Sequence, residues 1–287
     1  MKNLFLAAVL LFSLTSYSQK KIKVNKDYKY IPSGEARTGE EIKSVDAFYI
    51  CDHEVTNAEY MAFIKDIKLS NPSLYASCKP DTSLWVKTLN FTYNEPYATH
   101  YHWHTSYSNY PVVNITFEAA VAYCEWLTKK HNSTLKETKL TKSEYRLPSE
   151  VEWIRAARGN NHKWVYTWQT PYLRNAKGCF LANFCPIDNN SITRDSKTNE
   201  FKIIPDSKGF VLDGGFVTLP VKTYLSNAFD LFDICGNVAE MVTTNGVAKG
   251  GSWYDPGYDL RIDSPGNTHS IPSPMVGFRV VFVSNVD

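Results

Sequence analysis

The chain has 287 residues, of which 43% are hydrophobic and 21% are charged, a composition typical of a globular protein with a hydrophobic core. Lysine and arginine number 31 against 29 aspartate and glutamate residues, which leaves a net charge of +2. This balance argues against nucleic-acid binding, because proteins that grip phosphate backbones carry a strong positive excess. Aromatic residues make up 14% of the chain, which is typical of loop-rich cores or of binding surfaces.

The N-terminal segment has the pattern of a secretory signal peptide. An early lysine precedes an apolar run from Leu4 to Leu14, and small polar residues follow it. This run is about eleven residues long, shorter than the ~20 that a membrane span needs, and no later stretch approaches that length. We therefore predict a signal peptide over 1–19, a short lead over 20–27 and one domain over 28–287. The protein is expected to be exported, to the periplasm, the cell surface or the medium, without a transmembrane segment.

All six cysteines lie in the predicted mature chain, and an even number in an exported protein favours one or more disulfides. The spacing does not give the pairing, although Cys179 and Cys185 are close enough in sequence for a local bridge. Cys124 lies on an apolar helical face, which indicates a small buried side chain. No cysteines have the Cys-x-x-Cys spacing, which disfavours a zinc ribbon or a thioredoxin-type redox site.

Three helices are predicted along the chain, separated by short strands. Capping boxes over Thr56–Glu59 and Ser149–Glu152 open two of them, and Thr116 opens the third. Short apolar runs at Phe48–Ile50 and Val276–Phe282 indicate strands. The stretch over 159–224 has almost no periodicity, so metal ions, disulfides or aromatic packing are expected to hold it in place.

Several sequence blocks occur in a recognisable order along the chain. The blocks are Glu54–Tyr60, Tyr110–Ile115, Arg146–Trp153, Gly236–Glu240, Gly250–Trp253 and Gly277–Arg279. This series resembles the formylglycine-generating enzyme family, also called sulfatase-modifying factors, and the resemblance covers the chain from about Tyr28 to Phe282. It implies an α+β fold, the formylglycine-generating-enzyme variant of the C-type lectin fold, with little regular secondary structure.

The same resemblance implies calcium as a cofactor, at one or two sites. Carboxylates and backbone carbonyls are the oxygen ligands that this hard cation prefers. The alternative for each acidic residue is a carboxylate that caps a turn or is solvated. The first implied site comprises Asp233, Glu240 and the carbonyls of Gly236 and Val238. The second comprises Asn183, the carbonyl of Phe184, Asp213 and a carbonyl near Gly215.

The chain departs from the family in the segment that carries its oxidase chemistry. In the family's aerobic enzymes, two cysteines between the Gly-Gly-Ser and Gly-Phe-Arg blocks bind Cu(I), a metal that soft thiolates select. From Trp253 to Val276 this chain has no cysteine. We therefore expect no copper cofactor. The exception would be a copper site at new positions, formed if the fold brought Cys235 close to Cys179 or Cys185 at the cleft.

A different metal is the alternative to copper. His100, His102 and His104 alternate along the sequence, and on an extended strand all three would share one face. Such ligands lie about 7 Å apart on a strand, which is wide for one ion. The competing interpretation is a group of surface histidines in an aromatic insertion.

The first functional hypothesis is a non-catalytic, calcium-stabilised protein that binds a protein or peptide at the cell envelope. The chain resembles gliding-motility and secretion components of Bacteroidetes, although no cysteine follows the signal to carry their lipid anchor. The alternative is a formylglycine-generating or other metal-dependent oxidase or oxygenase. The predicted ligand cleft of the first hypothesis comprises Trp253, Tyr254, Tyr258, Arg261 and Arg279. For Arg279 the alternative to a ligand contact is a buried guanidinium that joins loops.

Overall fold

The computed structural model describes residues 24–284, except 90–95, 135–142, 160, 162, 188–191, 204–214 and 267–268. The predicted signal peptide lies outside the described residues. The helices are α1 Asn57–Ser70, α2 Pro72–Cys78, α3 Ser83–Thr88, α4 Tyr97–His100, α5 Phe117–Thr134 and α6 Glu150–Arg158. The strands are β1 Tyr28–Ile31, β2 Gly34–Thr38, β3 Glu41–Val45, β4 Phe48–Cys51, β5 Ser143–Arg146, β6 Ile192–Arg194, β7 Phe201–Ile203, β8 Ala239–Met241, β9 Ala248–Lys249, β10 Val276–Phe278 and β11 Val281–Ser284.

A four-stranded antiparallel sheet with the order β1-β4-β11-β5 lies between two hydrophobic cores. Neighbouring residues of a strand point to opposite faces, and β11 follows this rule. Phe282 packs into the core formed with α1 and α5, whereas Val281 packs into the core that contains Trp153 of α6. The sheet therefore organises both halves of the molecule.

The helices begin where the sequence predicts. Thr56 and Glu59 form a reciprocal capping box at the start of α1, and Ser149 and Glu152 form one at the start of α6. The hydroxyl of Thr116 accepts a hydrogen bond from the third residue after it, at the start of α5. These local interactions satisfy amide groups that a helix leaves unpaired at its first turn.

The predicted strand over Val276–Phe282 is two strands in two different sheets. Strand β10 pairs in parallel with β8 in a three-stranded sheet, and β11 pairs with β4 and β5 in the four-stranded sheet. The chain crosses between the sheets at Arg279, whose side chain is fully buried. The charged residue that interrupts the apolar run in the sequence therefore marks the position where one strand ends and the chain passes to the other sheet.

The stretch over 159–224 contains a short hairpin of β6 and β7 and is otherwise irregular where it is described. Aromatic packing contributes to holding it, since Tyr166 stacks on Trp168 with ring centroids 4.8 Å apart. The six cysteines are free thiols, so the local bridge considered for Cys179 and Cys185 is not formed. Within the described residues, no helix is long and apolar enough to cross a membrane.

Candidate functional site

A buried ion pair between Glu240 and Arg279 occupies the centre of the site. Both side chains are completely excluded from solvent, and the closest nitrogen and oxygen atoms are 2.7 Å apart. The indole N–H of Trp153 donates to the other carboxylate oxygen at 2.8 Å. The guanidinium of Arg279 also donates to the carbonyls of Cys51 and Phe232, at 3.0 and 2.7 Å. Burial opposes the charge on Arg279, but the charge of Glu240 outweighs it and raises the pKa of the guanidinium.

Glu54 is a second fully buried carboxylate beside this pair, and the sequence analysis did not assign it a role. Its Oε1 accepts a hydrogen bond from the side-chain amide of Asn237 at 2.9 Å. Its Oε2 is buried and has no hydrogen-bond partner among the described residues. Burial raises the pKa of Glu54 well above its usual range, and the charges of Asp233 and Glu240 raise it further. The only sequence feature that could have indicated the burial of Glu54 is its position directly before the apolar Val55.

Asp233 is the third buried carboxylate of this region. Its backbone has a positive φ of 53°, and its carboxylate accepts hydrogen bonds from the amides of Lys222 and Tyr224 at 2.5 and 3.2 Å. Burial raises the pKa of Asp233 despite these hydrogen bonds. We name Glu54, Asp233 and Glu240 the carboxylate cluster.

The residues of the first implied calcium site match a hard cation in ligand type, and both oxygens of Glu240 also accept hydrogen bonds from Arg279 or Trp153 in this structure. Arg279 forms the ion pair with Glu240, the Asp233 carboxylate accepts hydrogen bonds from backbone amides, and Glu54 has a carboxylate oxygen without a partner among the described residues. Buried charges require compensation, because burial without a partner is costly. Gly236 has a φ of 89°, and a Cβ atom at this position would collide with the carbonyl oxygen of Asn183. Carboxylate and carbonyl oxygens are thus concentrated around this turn.

The second implied calcium site is described only in part, because Asp213 lies outside the described residues. Asn183 is buried, and its side-chain amide donates to the carbonyl of Val217 at 2.9 Å and to Asn237 Oδ1 at 3.1 Å. A Cβ atom added to Gly215 would lie 3.1 Å from Asn183 Oδ1, so these two residues adjoin as the resemblance implies. Phe184, which follows Asn183 in the sequence, is also buried.

The histidine-rich segment is helical and turned rather than extended, so its three imidazoles do not line one strand face. Helix α4 ends at His100, and the rings of His100 and His104 lie 5.8 Å apart. His102 is buried, with Nδ1 3.3 Å from the side-chain oxygen of Asn57. Burial lowers the pKa of His102 to about 3, so this imidazole is neutral. The shared strand face is therefore not formed, and the competing interpretation of surface histidines is wrong for the buried His102.

Two residues of the predicted ligand cleft are buried and do not contribute to an accessible surface. Trp253 is 1% exposed, stacks on Trp85 at 6.2 Å and donates its indole N–H to the carbonyl of Pro274 at 3.0 Å. Arg279 is the guanidinium of the central ion pair. Burial of the large apolar area of an indole stabilises the folded state, which favours a core position for Trp253. The neighbouring residues in the sequence did not indicate this burial.

The exposed part of the predicted cleft is a small aromatic surface. Tyr258 is 61% exposed, and the guanidinium of Arg261 lies 3.7 Å from its ring centroid. Tyr172 is 70% exposed, and the adjoining Leu173 touches the backbone of Gly257 so closely that a Cβ atom there would collide with it. Tyr172 was not among the predicted cleft residues, and we name it together with Tyr258 and Arg261 the tyrosine platform. Tyr254 is partly buried.

A polar network missed by the sequence analysis lies in the segment where the family has its cysteine pair. The Asp255 carboxylate accepts a hydrogen bond from the Ser252 hydroxyl at 2.6 Å, and its other oxygen is 2.6 Å from His269 Nε2. The carboxylate fixes the orientation of the imidazole and can share a proton with it. Asp255 and His269 are separated by 14 residues, so no local motif signalled the contact.

The buried carboxyl of Glu54 predicts a pH-dependent stability in calcium-free protein. The folded state holds this proton at a higher pH than the unfolded chain, whose glutamate pKa is about 4.3. The free energy of unfolding should therefore fall as the pH rises from about 5 to 7, and Glu54→Gln should flatten this slope. Denaturant titrations at several pH values measure it, with the exposed Glu144→Gln as the control. Equal slopes in the wild type and in Glu54→Gln would contradict the assignment.

Comparison with known proteins gives the same family as the sequence blocks. The model of the Sulfatase-modifying factor enzyme 1-like domain matches residues 16–283. The formylglycine-generating enzyme of Bos taurus is 26% identical over 219 residues, which cover 69% of this chain and 48% of that protein. An inactive C-alpha-formylglycine-generating enzyme 2 of Bos taurus is 27% identical over 186 residues, covering 59% and 49%. The chain thus spans about half the length of these relatives.

Solved structures show the same fold. The crystal structure of CarF superimposes with a TM-score of 0.54 and 19% identity, covering 89% of this chain and 97% of CarF. PvdO from Pseudomonas aeruginosa superimposes with a TM-score of 0.54 and 19% identity, covering 88% and 92%. The α+β fold predicted from the sequence blocks is confirmed. The chain belongs to the family of Sulfatase-modifying factor enzyme 1-like domains.

Proposed function

We propose that the chain is an exported, calcium-stabilised protein of the formylglycine-generating-enzyme fold that binds a protein or peptide and does not generate formylglycine. The observation that carries the proposal is the chemistry of residues 253–276. This segment has no thiol, and where it is described it presents the Asp255–His269 pair instead. Cu(I) selects thiolates over carboxylate and imidazole ligands. The family also includes a relative whose name states that it is inactive.

The remaining thiols do not favour a relocated copper site. Cys235 is buried in the core that contains Trp153, and burial raises the pKa of its thiol to about 12. Cys185 is buried in a different core cluster, and Cys179 is exposed. A thiol that stays protonated at neutral pH is a poor copper ligand, because the thiolate is the form that binds metals.

The catalytic part of the proposal is tested directly. A sulfatase-type peptide containing one cysteine, incubated with the purified protein, Cu(I) and oxygen, should keep its sulfur when it is analysed by mass spectrometry. A formylglycine-generating enzyme run in parallel serves as the positive control. Conversion by this protein that is abolished in Cys235→Ser would establish a relocated copper pair and overturn the non-catalytic assignment.

The calcium part of the proposal rests on the carboxylate cluster. Asp233 and Glu240, with the carbonyls of Gly236 and Val238, would hold the ion, and its positive charge would compensate the negative charge that Arg279 leaves unbalanced. The partnerless oxygen of Glu54 supports a cation at this place. Calcium would contribute no chemistry to a substrate here, and its role would be to stabilise the folded state.

Removal of calcium should lower the melting temperature, because an ion that binds only the folded state stabilises it by mass action. The contribution is about 2.7 kcal/mol at a free calcium concentration 100 times the Kd. Asp233→Asn should lose most of the response to chelator in thermal unfolding. Asp263→Asn, at a half-exposed surface position, is the matched control and should respond like the wild type. An unchanged melting curve of the wild type in excess chelator would exclude this role.

The tyrosine platform is the proposed ligand surface. Exposed tyrosine rings offer large apolar contacts with few rotamers to fix, and aromatic and arginine side chains are enriched where binding energy is concentrated. The guanidinium of Arg261 can pair with a carboxylate of the ligand. We therefore expect peptides that combine an apolar side chain with an acidic group.

A peptide library displayed on phage provides the test of this surface. Selection on the wild-type protein should enrich peptides whose affinity falls at least tenfold, about 1.4 kcal/mol, in the double variant Tyr172→Ala and Tyr258→Ala. Tyr30→Ala, which removes a 55% exposed ring from β1, is the control and should bind as the wild type does. Equal binding by all variants would place the ligand surface elsewhere.

Metal-dependent oxidase or oxygenase activity is the second candidate, and the Asp255–His269 pair is the observation that favours it. A carboxylate and an imidazole are ligands of non-haem iron. Metal analysis of protein purified from its native host separates the candidates. Stoichiometric iron or copper supports the oxidase, and calcium without either redox metal supports the binding protein.

A further inference from the structure

Cys51, Asp52 and His53 bring three different metal-binding side chains together at the end of β4. All three residues are at most 7% exposed. Their ligand atoms lie within 4.8 Å of one another, and in the described part of the chain they form the single such group of three or more. Cys51 Sγ is 3.6 Å from His53 Nδ1, which is 2.6 Å from Asp52 Oδ1.

These separations are close to those of a tetrahedral zinc centre. Bond lengths of ~2.3 Å to sulfur and ~2.05 Å to nitrogen or oxygen place tetrahedral ligands about 3.6 Å apart for sulfur and nitrogen and ~3.3 Å apart for nitrogen and oxygen. The distance between Cys51 Sγ and His53 Nδ1 already has this value. The carboxylate of Asp52 needs to withdraw from the imidazole by only about 0.7 Å to admit the ion.

The imidazole of His53 is also oriented as in a metal site. Its second nitrogen, Nε2, lies 3.5 Å from Glu59 Oε1. The other oxygen of Glu59 is fixed in the capping box of α1 by the amide and hydroxyl of Thr56, at 2.8 and 2.7 Å. Metal-binding histidines commonly donate the N–H opposite the metal to such a carboxylate, which fixes the tautomer and the ring orientation.

A divalent ion would be bound here by the deprotonated forms of the thiol, the imidazole and the carboxylate. Metal binding of this kind is accompanied by proton release.

Two lysines also face the group and bind the Asp52 carboxylate. Lys222 Nζ is 2.7 Å from Oδ1, and Lys29 Nζ is 3.3 Å from Oδ2. The side chain of Lys222 is 36% exposed and also lies 3.9 Å from Asp27, so a second carboxylate is within its reach when the ion occupies Oδ1. Lys29 can keep its contact with the other oxygen.

We propose that Cys51, Asp52 and His53 form a zinc site, with water or one further oxygen donor as the fourth ligand and Glu59 as the residue that positions His53. One thiolate, one imidazole and one carboxylate suit zinc, whereas calcium takes only oxygen ligands. This site is therefore chemically distinct from the carboxylate cluster, and it does not depend on the proposed function.

Cobalt(II) added to the full chain in excess calcium tests the proposal, because cobalt reports a thiolate ligand by a charge-transfer band in the near ultraviolet. One equivalent should produce the band in the wild type, and zinc should abolish it by displacement. Cys51→Ser should lack the band, whereas Cys179→Ser, which removes the exposed thiol, should retain it. A wild type without the band, or a Cys51→Ser variant with it, would overturn the site.

Two milder variants keep the test valid if Cys51→Ser does not fold. Glu59→Gln preserves a side chain that can cap α1 and should weaken zinc binding about 10- to 100-fold in competition with a chromophoric chelator. His53→Gln should remove the increase in melting temperature that zinc gives the wild type. The proposal would be refuted if Glu59→Gln kept the zinc affinity of the wild type and zinc still raised the melting temperature of His53→Gln. That result would show that His53 is not a ligand.

Discussion

The buried ion pair of Glu240 and Arg279 is the interaction on which the rest of the structure depends. It joins β8 to the point where the chain passes from β10 to β11, and its additional hydrogen bonds reach α6, the end of β4 and the loop at Phe232. An ion pair of this kind is costly to form in the interior, but loss of one partner leaves a charge without compensation and destabilises a protein by about 3–5 kcal/mol. The architecture of both sheets is thereby tied to one guanidinium.

Two further buried carboxylates, those of Glu54 and Asp233, lie beside this ion pair. Glu54 and Asp233 act on Arg279 and on each other through a medium that screens charges poorly. Glu54 directly follows His53 in the sequence, so one member of the carboxylate cluster is the neighbour of the proposed zinc ligands at the end of β4. An ion bound at one of these two proposed sites would therefore change the electrostatic potential at the other.

The sequence predicts the features of this protein that depend on neighbouring residues. The capping boxes at Thr56 and Ser149 are local, and both helices begin there. The division of the strand at Arg279 depends on a partner 39 residues away, which no local pattern contains. The helical turn at His100 likewise overrides the alternation of the histidines, and the ring of Tyr101 packs there against that of Tyr107, with centroids 5.4 Å apart.

The candidate site divides in the same way. The order of the sequence blocks makes Asp233 and Glu240 candidates, because these residues lie in the Gly236–Glu240 block or close to it. Burial of Trp253 and of Arg279 is a property of the complete core, and the sequence alone presents both as candidates for a surface. Glu54 and the Asp255–His269 pair were missed for a related reason, since each acquires its role only from residues distant in the chain.

The position of β11 in the central sheet has a consequence for how the chain folds. This strand follows all other described strands in sequence, yet it lies between β4 and β5 and pairs with both. Contacts between residues so far apart in sequence form slowly, because the intervening chain loses much of its freedom before any pairing compensates. The sheet cannot close before residues 281–284 have been synthesised, because β4 and β5 each pair with β11 and not with each other.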